Sequence, residues 1–514
     1  MSKINNADNH CIYKIAKNPY NYLLTAALFP KLNISEDIKN FIFSHLHNEA
    51  NNDNFLNFFL KYIEQYSIKC SVKQVQKACD IANLWMEQKI CVFINNNFQT
   101  ENSQIIPHII FGWGNTNNFQ GNLASVLSSR KQKHVKQHDN WIHIINTAVT
   151  KLIEQQYNLI TSFGNYPYEI AAYSGSASKG NLIIVLDRPL PMMQTGKHNT
   201  DAFLNKYKEF INDNTLIISI FAPDKMLDKS RYTYRDAFII EISDLIVALE
   251  IREKGNMEKL ICQKLKKHGE VKLAGLKDAK LNEHLLKYGA IPYYIPLKKC
   301  GSTKVNKKPQ LYLNFNKIYL NKNLNGESYL IHFTRSCQGN WPGQTLFDYY
   351  RSLINQDNNA SHTAYDTLRR ILDEGLIRAY GKLIRGNIPC ISFTECNLSE
   401  IKNLIIWRKG LIRWTFEPFG IAVSKELLLK IGAMPVIYGE HSCWNNLEDN
   451  EKFRFQLSKS PVADWSNEKE WRIPFDLKLT HIPKQKIKII VPSEEEAINI
   501  ANDYGYDAYT FKNL

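Results

Sequence analysis

The residues best suited to chemistry fall into two groups. In the first, the apolar run LIVALE (245–250) ends on Glu250 and is followed by Lys254, Gly255 and Asn256. A glycine turn that opens a helix just past a buried strand offers backbone amides and a helix N-terminus to a phosphate. Upstream, Arg235 opens a predicted helix that Ser243 and Asp244 end, and Ser162 and Gly164 close the run NLITSFG. An arginine in such a place can pair with a phosphate through two parallel hydrogen bonds. The second group comes later in the chain. His332 and Arg335 lie on or just after a strand in YLIHFTR (329–335), and Ser392 and Thr394 share one face of IPCISFTE (388–395) because strand side chains alternate. Glu468 and Glu470 stand two apart where EWRIPFDL (470–477) begins, so both carboxylates can share a face.

Plainer readings stand beside these. A lone histidine on a strand is often structural, and Glu470 can pair with Arg472 or Arg408 as a surface ion pair. Tyr349, Tyr350 and Tyr365 can stack on a planar ring or simply fill a core. The stretch RKGLIRWTFEPFG (408–420) mixes arginine with aromatics, which suits nucleic acid and equally suits an amphipathic strand with snorkelling arginines.

The elements that must position these residues follow from hydrophobic periodicity. Residues 1–104 read as helical: KNPYNYLLTAALFPKL, ISEDIKNFIFSHL, DNFLNFFLKYIEQYSI and, after the cap candidate Ser71, SVKQVQKACDIANLWMEQKI. From about 105 strands alternate with helices: IIPHIIFGWGN, then the basic run SSRKQKHVKQH, the helix WIHIINTAVTKLIEQQ, NLITSFG, the helix PYEIAAYSGSASKG, NLIIVLD, LIISIFA, LIVALE, HGEVKLAG and AIPYYIP. That alternation predicts a doubly wound, largely parallel sheet over 105–296. Residues 297–310 are polar and basic, a linker composition, and 311–514 are rich in short strands.

The length of 514 residues suggests about three domains, and 44% hydrophobic with 22% charged residues is ordinary for globular protein. The net charge of +14 favours contact with nucleic acid or another polyanion, or reflects a lysine-rich composition alone. The ten cysteines form no CxxC pair and none alternates with histidine at zinc spacing, so no metal site is expected. Scattered cysteines, an N-terminus without an apolar signal core and no long apolar run lead to the expectation of a cytoplasmic protein with no membrane partner. No GxxxxGK[ST], GxSxG or HExxH occurs, which excludes a P-loop ATPase and gives no sign of those hydrolase classes.

The segment 105–296 resembles the DprA and lysine-decarboxylase-like (SLOG-type) Rossmann domains. By that likeness Ser162, Gly164, Arg235, Glu250, Lys254, Gly255 and Asn256 face the ligand, a nucleotide signal or single-stranded nucleic acid. The order IHFTR, a helix ending in DEG, CISFTE and EKEWR resembles ADP-ribosyltransferases of the DarT type and, over about 329–495, AbiGi-type abortive-infection proteins. That likeness implies NAD as cofactor. Arg335 or His332 would hold it, Ser392, Thr394 and Tyr365 would line the nicotinamide pocket, and Glu470, assisted by Glu468, would stabilise the oxocarbenium-like centre. Together the expectation is a multidomain α/β plus α+β protein: a helical N-terminal region, a Rossmann nucleotide-binding domain and a C-terminal ADP-ribosyltransferase-like fold. Its expected role is an antiphage effector, with the N-terminal helices available to a protein partner or a second copy. The competing expectation is a non-catalytic, antitoxin-like binding module.

Overall fold

The structure is a computed structural model. It describes residues 13–15, 19–28, 71–95, 107, 109–131, 135–190, 202–221, 230–275, 283–295, 318–319, 328–382, 384–408, 413–460 and 463–510. The expected helices between 29 and 70 and the linker 297–310 lie outside these residues. The chain divides into two units, Met1–Cys300 with Gly343–Gln356, and Gly301–Pro342 with Asp357–Leu514.

The first unit is built on a ten-stranded sheet. In chain order its elements are β1 (Tyr13–Ile15), α1 (Pro19–Leu28), α2 (Val72–Glu87), β2 (Cys91–Asn95), β3 (Ile109–Gly114), β4 (Leu123–Ser128), α3 (Asn140–Glu154), β5 (Asn158–Ser162), α4 (Tyr166–Ala177), β6 (Leu182–Leu186), α5 (Ala202–Tyr207), β7 (Thr215–Ser219), α6 (Arg231–Ile242), β8 (Leu245–Leu249), α7 (Asn256–Lys266), β9 (Glu270–Gly275), α8 (Glu283–Lys287) and β10 (Ile291–Tyr294). The strand order is β1-β2-β3-β7-β6-β5-β4-β8-β9-β10. From β7 to β10 every pairing is parallel, while β3, β2 and β1 add on antiparallel. Winding outward from β4 through β5, β6 and β7, then returning to β8 on the other side of β4, makes this a doubly wound, Rossmann-like sheet.

Two expectations are corrected here. Within the expected helical region 1–104, β1 and β2 are strands that extend the large sheet. And β4, the central strand, is LASVLS, a stretch the periodicity reading passed over. Its Ser125 and Ser128 are buried with the rest of the strand, and Ser125 Oγ accepts a 3.0 Å hydrogen bond from Ser243 Oγ, which offsets the cost of burying the hydroxyl.

Strands β4 to β8 are buried along their whole length, as expected when helices cover both faces. One core joins Ile160, Ile183, Val185, Ile246 and Ala248 to Phe238 and Ile239 of α6 and Ile261 of α7. On the opposite face α4 approaches closely at Gly175, where a Cβ would come within 2.3 Å of Leu182 and 2.9 Å of Leu159. The first unit also takes in helix α9 (Leu346–Asn355). Its Thr345 side chain caps the Asp348 amide, and Tyr349, Tyr350 and Leu353 are buried. The expected C-terminal domain 311–514 is therefore interrupted.

The second unit holds an eight-stranded sheet. Its strands are β11 (Ile318–Tyr319), β12 (Tyr329–Phe333), β13 (Ile391–Thr394), β14 (Gly420–Ser424), β15 (Met434–Pro435), β16 (Glu470–Ile473), β17 (Ile487–Val491) and β18 (Asp507–Thr510). They run in the order β11-β18-β17-β14-β12-β13-β16-β15. Helices α10 (Ala364–Glu374), α11 (Leu398–Leu404) and α12 (Glu494–Tyr504) accompany it. Leu368, Leu372, Ala497 and Ile500 of α10 and α12 join Leu330, Phe393 and Ile421 in one core. Ile401 of α11 joins Ile331, Phe333, Ala422 and Ile490 in a second. Alternate residues of the same strands enter the two cores, so each face of the sheet has its own cover.

His362, just before α10, is fully buried. Its Nδ1 lies 2.7 Å from the Gly339 carbonyl and its ring stacks on Trp341 at 3.5 Å. Burial lowers its pKa from 6.5 to about 4. The folded state needs the neutral imidazole, so the unfolded chain binds the proton first. The stabilisation is complete above about pH 6.5 and is lost as pH falls toward 4, by roughly 3 kcal/mol for a shift of this size. His332, also lowered by burial, acts in the same direction. The unfolding temperature of the second unit is expected to drop across that window, and His362→Gln should flatten the drop. An unchanged pH profile in the variant would refute the assignment.

Candidate functional site

In a doubly wound sheet, ligands bind beyond the carboxyl ends of the strands where the winding reverses. Here that point lies between β4 and β8. Past β4 come Ser129, Arg130 and Lys131, and past β8 come Glu250, Ile251 and Arg252. Ser129 Oγ accepts a 2.8 Å hydrogen bond from the Arg252 amide, and Lys131 pairs with Glu250. The Lys131 ammonium also sits 5.4 Å from the centre of the Trp141 ring. Glu250 and Lys254 both adopt positive φ, +47° and +57°, a conformation that side chains disfavour and that tends to gather at functional sites. Gly255 caps α7 with no side chain on its first amides, and Asn256 is the first helical residue. The structure thus gathers Glu250, Lys254, Gly255 and Asn256 at one end of the sheet.

Of the other residues of the first group, Ser162 and Arg235 are buried and Gly164 is open. Ser162 is fully buried and donates its hydroxyl proton to the Val185 carbonyl at 2.7 Å, tying β5 to β6. Gly164 has φ +99° and open space where a Cβ would stand, so the turn after β5 is accessible. Its amide donates to Glu169 Oε1 at 3.0 Å. Glu169, only 5% exposed in the first turn of α4, also accepts from the Tyr207 hydroxyl at 2.5 Å and from the Tyr350 hydroxyl of α9.

Arg235 does not open α6. The helix begins at Arg231, which places Arg235 in its second turn, 3% exposed. The Arg235 guanidinium gives Nε and Nη2 to Asp236 Oδ1 at 3.0 and 2.7 Å and reaches the Phe163 carbonyl at 3.4 Å. It lies 4.8 Å over the Tyr168 ring, and the Tyr168 hydroxyl donates to the same Asp236 oxygen at 2.9 Å. Burial, with Asp236 beside it, pushes the Tyr168 phenol well above its usual range; burial and Glu169 do the same to Tyr207 and Tyr350. All three stay protonated donors at neutral pH.

The cations missed in the sequence lie at the surface of this edge. Arg231 stands 3.6 Å from Asp187 at the end of β6 and donates to the Tyr232 hydroxyl at 2.8 Å. Arg188 pairs with Asp187 at 3.0 Å and covers the Phe203 ring at 4.5 Å. Tyr232 and Tyr234 are 46% and 47% exposed. The signal that could have found Arg231 was in plain view: in SRYTYRD it precedes Arg235 by one helical turn.

In the second unit, β12, β13 and β16 are neighbours as the sequence reading requires, but the side chains divide between two faces. Thr394 pairs with Ile331 and with Glu470, and Ser392 pairs with Arg472. Ser392, Thr394 and Glu470 therefore share the face of Ile331. His332 pairs with Ile421 and packs against Phe393, which puts it on the opposite face. Its Nδ1 lies 2.9 Å from the Ser392 carbonyl, and burial, with the Arg335 charge nearby, keeps it neutral. Tyr365 also packs on the His332 side, its ring 5.5 Å from that of Phe419. Thr394 donates its hydroxyl to the Glu468 carbonyl at 2.6 Å, a turn-fixing bond. Tyr349 and Tyr350 are core residues of the first unit. Among the described residues no group of three His, Cys, Asp or Glu side chains comes together to hold a metal, and no helix is long and apolar enough to cross a membrane.

Glu470 is committed to Arg472. Its two oxygens accept from Nε at 2.9 Å and Nη2 at 3.1 Å, and the guanidinium is completed by the carbonyls of Phe453 and Phe455 and by Gln456. Arg472 is 1% exposed, so this is a buried pair and not the surface pair considered above; the Arg408 side chain lies outside the described residues. Removing one partner of a buried pair strands the other charge. Glu470→Ala is expected to lower stability by about 3–5 kcal/mol, read as the urea midpoint, with Glu470→Gln milder because it keeps an acceptor. A loss below about 0.5 kcal/mol would show that the pair does not hold the sheet.

No family model matches the chain, and no curated protein matches it. Among solved structures it is similar to DNA processing protein A (DprA) from Streptococcus pneumoniae, at 17% identity and TM-score 0.32, over 46% of this chain and 87% of that one. It is also similar to DNA processing protein A from Helicobacter pylori, described for its single-stranded DNA binding mode, at 15% identity and TM-score 0.30 over 36% and 82%. A third is the molybdenum cofactor binding protein from Rippkaea orientalis, at 14% identity and TM-score 0.23 over 34% and 90%.

Proposed function

We propose that the first unit binds single-stranded nucleic acid along the carboxyl edge of its sheet. The observation that carries this reading is the pair of exposed tyrosines, Tyr232 and Tyr234, on the first turn of a helix that begins at Arg231. Aromatic faces stack on unpaired bases of any sequence, and neighbouring cations track the phosphates. Arg188, Arg252 and Lys254 lie at the ends of β6 and β8 on the same edge of the sheet, beside the N-terminus of α7, where the Glu258 carboxylate accepts from the Lys254 amide. The chain's charge of +14 acts in the same direction. Asp187 and Glu250 oppose it locally, each already held by a cation.

For the second unit, NAD use has less behind it. A pocket built from His332 and Glu470 would need both on one face of the sheet, and Glu470 would have to leave Arg472. Nicotinamide release by the full chain tests NAD use without assuming which residues serve it. A role in antiphage defence would follow only from activity in cells.

The binding reading is tested by fluorescence anisotropy with labelled oligothymidine of about 20 nucleotides, longer than the roughly 4–16 that single modules cover. Affinity is expected to fall with salt, at roughly 0.7 log units per log unit of salt for each neutralised phosphate. The double variant Tyr232→Ala, Tyr234→Ala should bind at least about tenfold more weakly, from stacking worth about 1–3 kcal/mol per base, while the double Phe variant keeps most of the affinity. Absence of binding at low salt, or equal affinity for duplex of the same length, would overturn it. Full displacement by a mononucleotide would move the assignment to a nucleotide ligand.

A further inference from the structure

Helix α9 lies apart in sequence from the unit that holds it. In sequence it belongs among residues of the second unit: Gly301–Pro342 precede it and Asp357–Leu514 follow it. In space it is part of the first unit. Phe347 meets Phe210 at 5.4 Å and Tyr173 at 4.6 Å, Tyr350 meets Phe210 at 6.2 Å and Tyr166 at 6.4 Å, and Gln356 Nε2 lies 2.9 Å from His143 Nε2 just past the helix. Its one bond to a buried charge in that unit runs from the Tyr350 hydroxyl to Glu169 Oε2. The other oxygen of the same carboxylate holds the amide of Gly164, in the open turn at the carboxyl end of β5.

We propose that α9 is a strap whose seating is coupled, through Glu169, to occupancy of the Gly164 turn. This rests on the reading of the carboxyl edge as a phosphate-binding edge. The argument is one of competition. An anion received at that turn would take the Gly164 amide and the N-terminal end of α4, which now hold Glu169 together with the Tyr207 and Tyr350 hydroxyls. It would also repel the Glu169 carboxylate, which is buried and cannot be hydrated where it stands. Glu169 must then shift away from the turn, and that weakens the acceptor of Tyr350. Both ends of α9 continue directly into the chain of the second unit, so a change in its seating is passed on covalently. The coupling is reciprocal: whatever loosens the strap favours the anion.

The experiment is hydrogen exchange by mass spectrometry on the full chain, with Tyr350→Phe and Glu169→Gln beside the natural sequence. Without ligand, Tyr350→Phe keeps the buried ring and loses only the hydroxyl. It is expected to speed exchange in α9 and also in residues 163–168, by at least about fivefold, the low end of measured couplings. By reciprocity it should bind oligothymidine tighter by a similar factor. Faster exchange in α9 with no change at 163–168 overturns the strap, whatever the ligand is. In the second arm, oligothymidine is added to the natural chain at saturation judged by anisotropy. Binding that leaves exchange in α9 unchanged overturns the strap and leaves the binding reading standing. Absence of oligothymidine binding overturns that reading, and the ligand-free comparison then decides the coupling alone. Glu169→Gln, which removes the charge but keeps an acceptor, guards against a misfolded Tyr350→Phe and is expected to speed exchange at both places.

Discussion

The first unit depends on how it accommodates one carboxylate. Glu169 is 5% exposed, and an ionised group taken from water costs several kcal/mol unless its lone pairs are filled. They are filled from three separate elements: the Gly164 amide after β5, the Tyr207 hydroxyl at the end of α5 and the Tyr350 hydroxyl in α9. Lys206 stands 3.8 Å away, and the position in the first turn of α4 adds the favourable end of the helix dipole. Because the donors come from distant parts of the chain, one acceptor sets the turn, the approach of α5 and the return of the chain at α9 together. The aromatic contacts around it, with Phe163 stacked on Tyr207 at 3.9 Å, supply the apolar area that the carboxylate cannot.

The two edges of the large sheet are finished differently. At the amino ends, amide side chains lock the strands together. Asn118 donates to the carbonyls of Leu182 and Asn214, Asn158 donates to those of Asn118 and Gln120, and Asn181 donates to Asn158. Asp244 closes the same edge by accepting from the Leu123 amide and donating its own to the Leu123 carbonyl. These contacts, all but that of Asp244 between neutral groups, hold register. At the carboxyl ends stand Lys131, Arg188, Arg231, Arg252 and Lys254, two residues at positive φ and a glycine-capped helix.

Much of this architecture was legible in the chain. Apolar runs bounded by turn residues located β3, β5 to β10 and helices α3, α4, α6 and α7, though not the short α5 and α8, because a strand buried on both faces needs nothing subtler than hydrophobicity. The central strand was not legible, since Ser125 and Ser128 interrupt its apolar character and their partners are far away in sequence. Nor could the sequence show that α9 leaves its neighbours, a decision made by the Glu169 carboxylate more than 170 positions earlier. The two candidate sites differ in what their assembly requires. Lys254, Gly255 and Asn256 are adjacent in the chain, so local spacing alone places them together past β8. His332 and Glu470 depended on the relative register of three strands, and a shift of one residue turns a side chain to the other face. The pattern Glu-x-Arg in EWRIP holds its own alternative: residues two apart on a strand share a face, so Glu470 and Arg472 meet there without any ligand.

The turn after β5 shows how a binding edge can be both preorganised and able to respond. Its carbonyl side is held by Arg235, which reaches the Phe163 oxygen while Asp236 and the Tyr168 ring fix the guanidinium. A guanidinium keeps its charge at any physiological pH, so this half of the turn has one state. Its amide side is held by a carboxylate, a group of the same charge as any phosphate that would come to the turn. That half has two states by its chemistry, one with the internal anion and one with an external anion in its place. Only the second half is connected to α9, through the far oxygen of Glu169. The rigid contact therefore aims the turn, and the exchangeable contact is the one wired to the rest of the chain, an arrangement in which binding and its consequence share a single atom group.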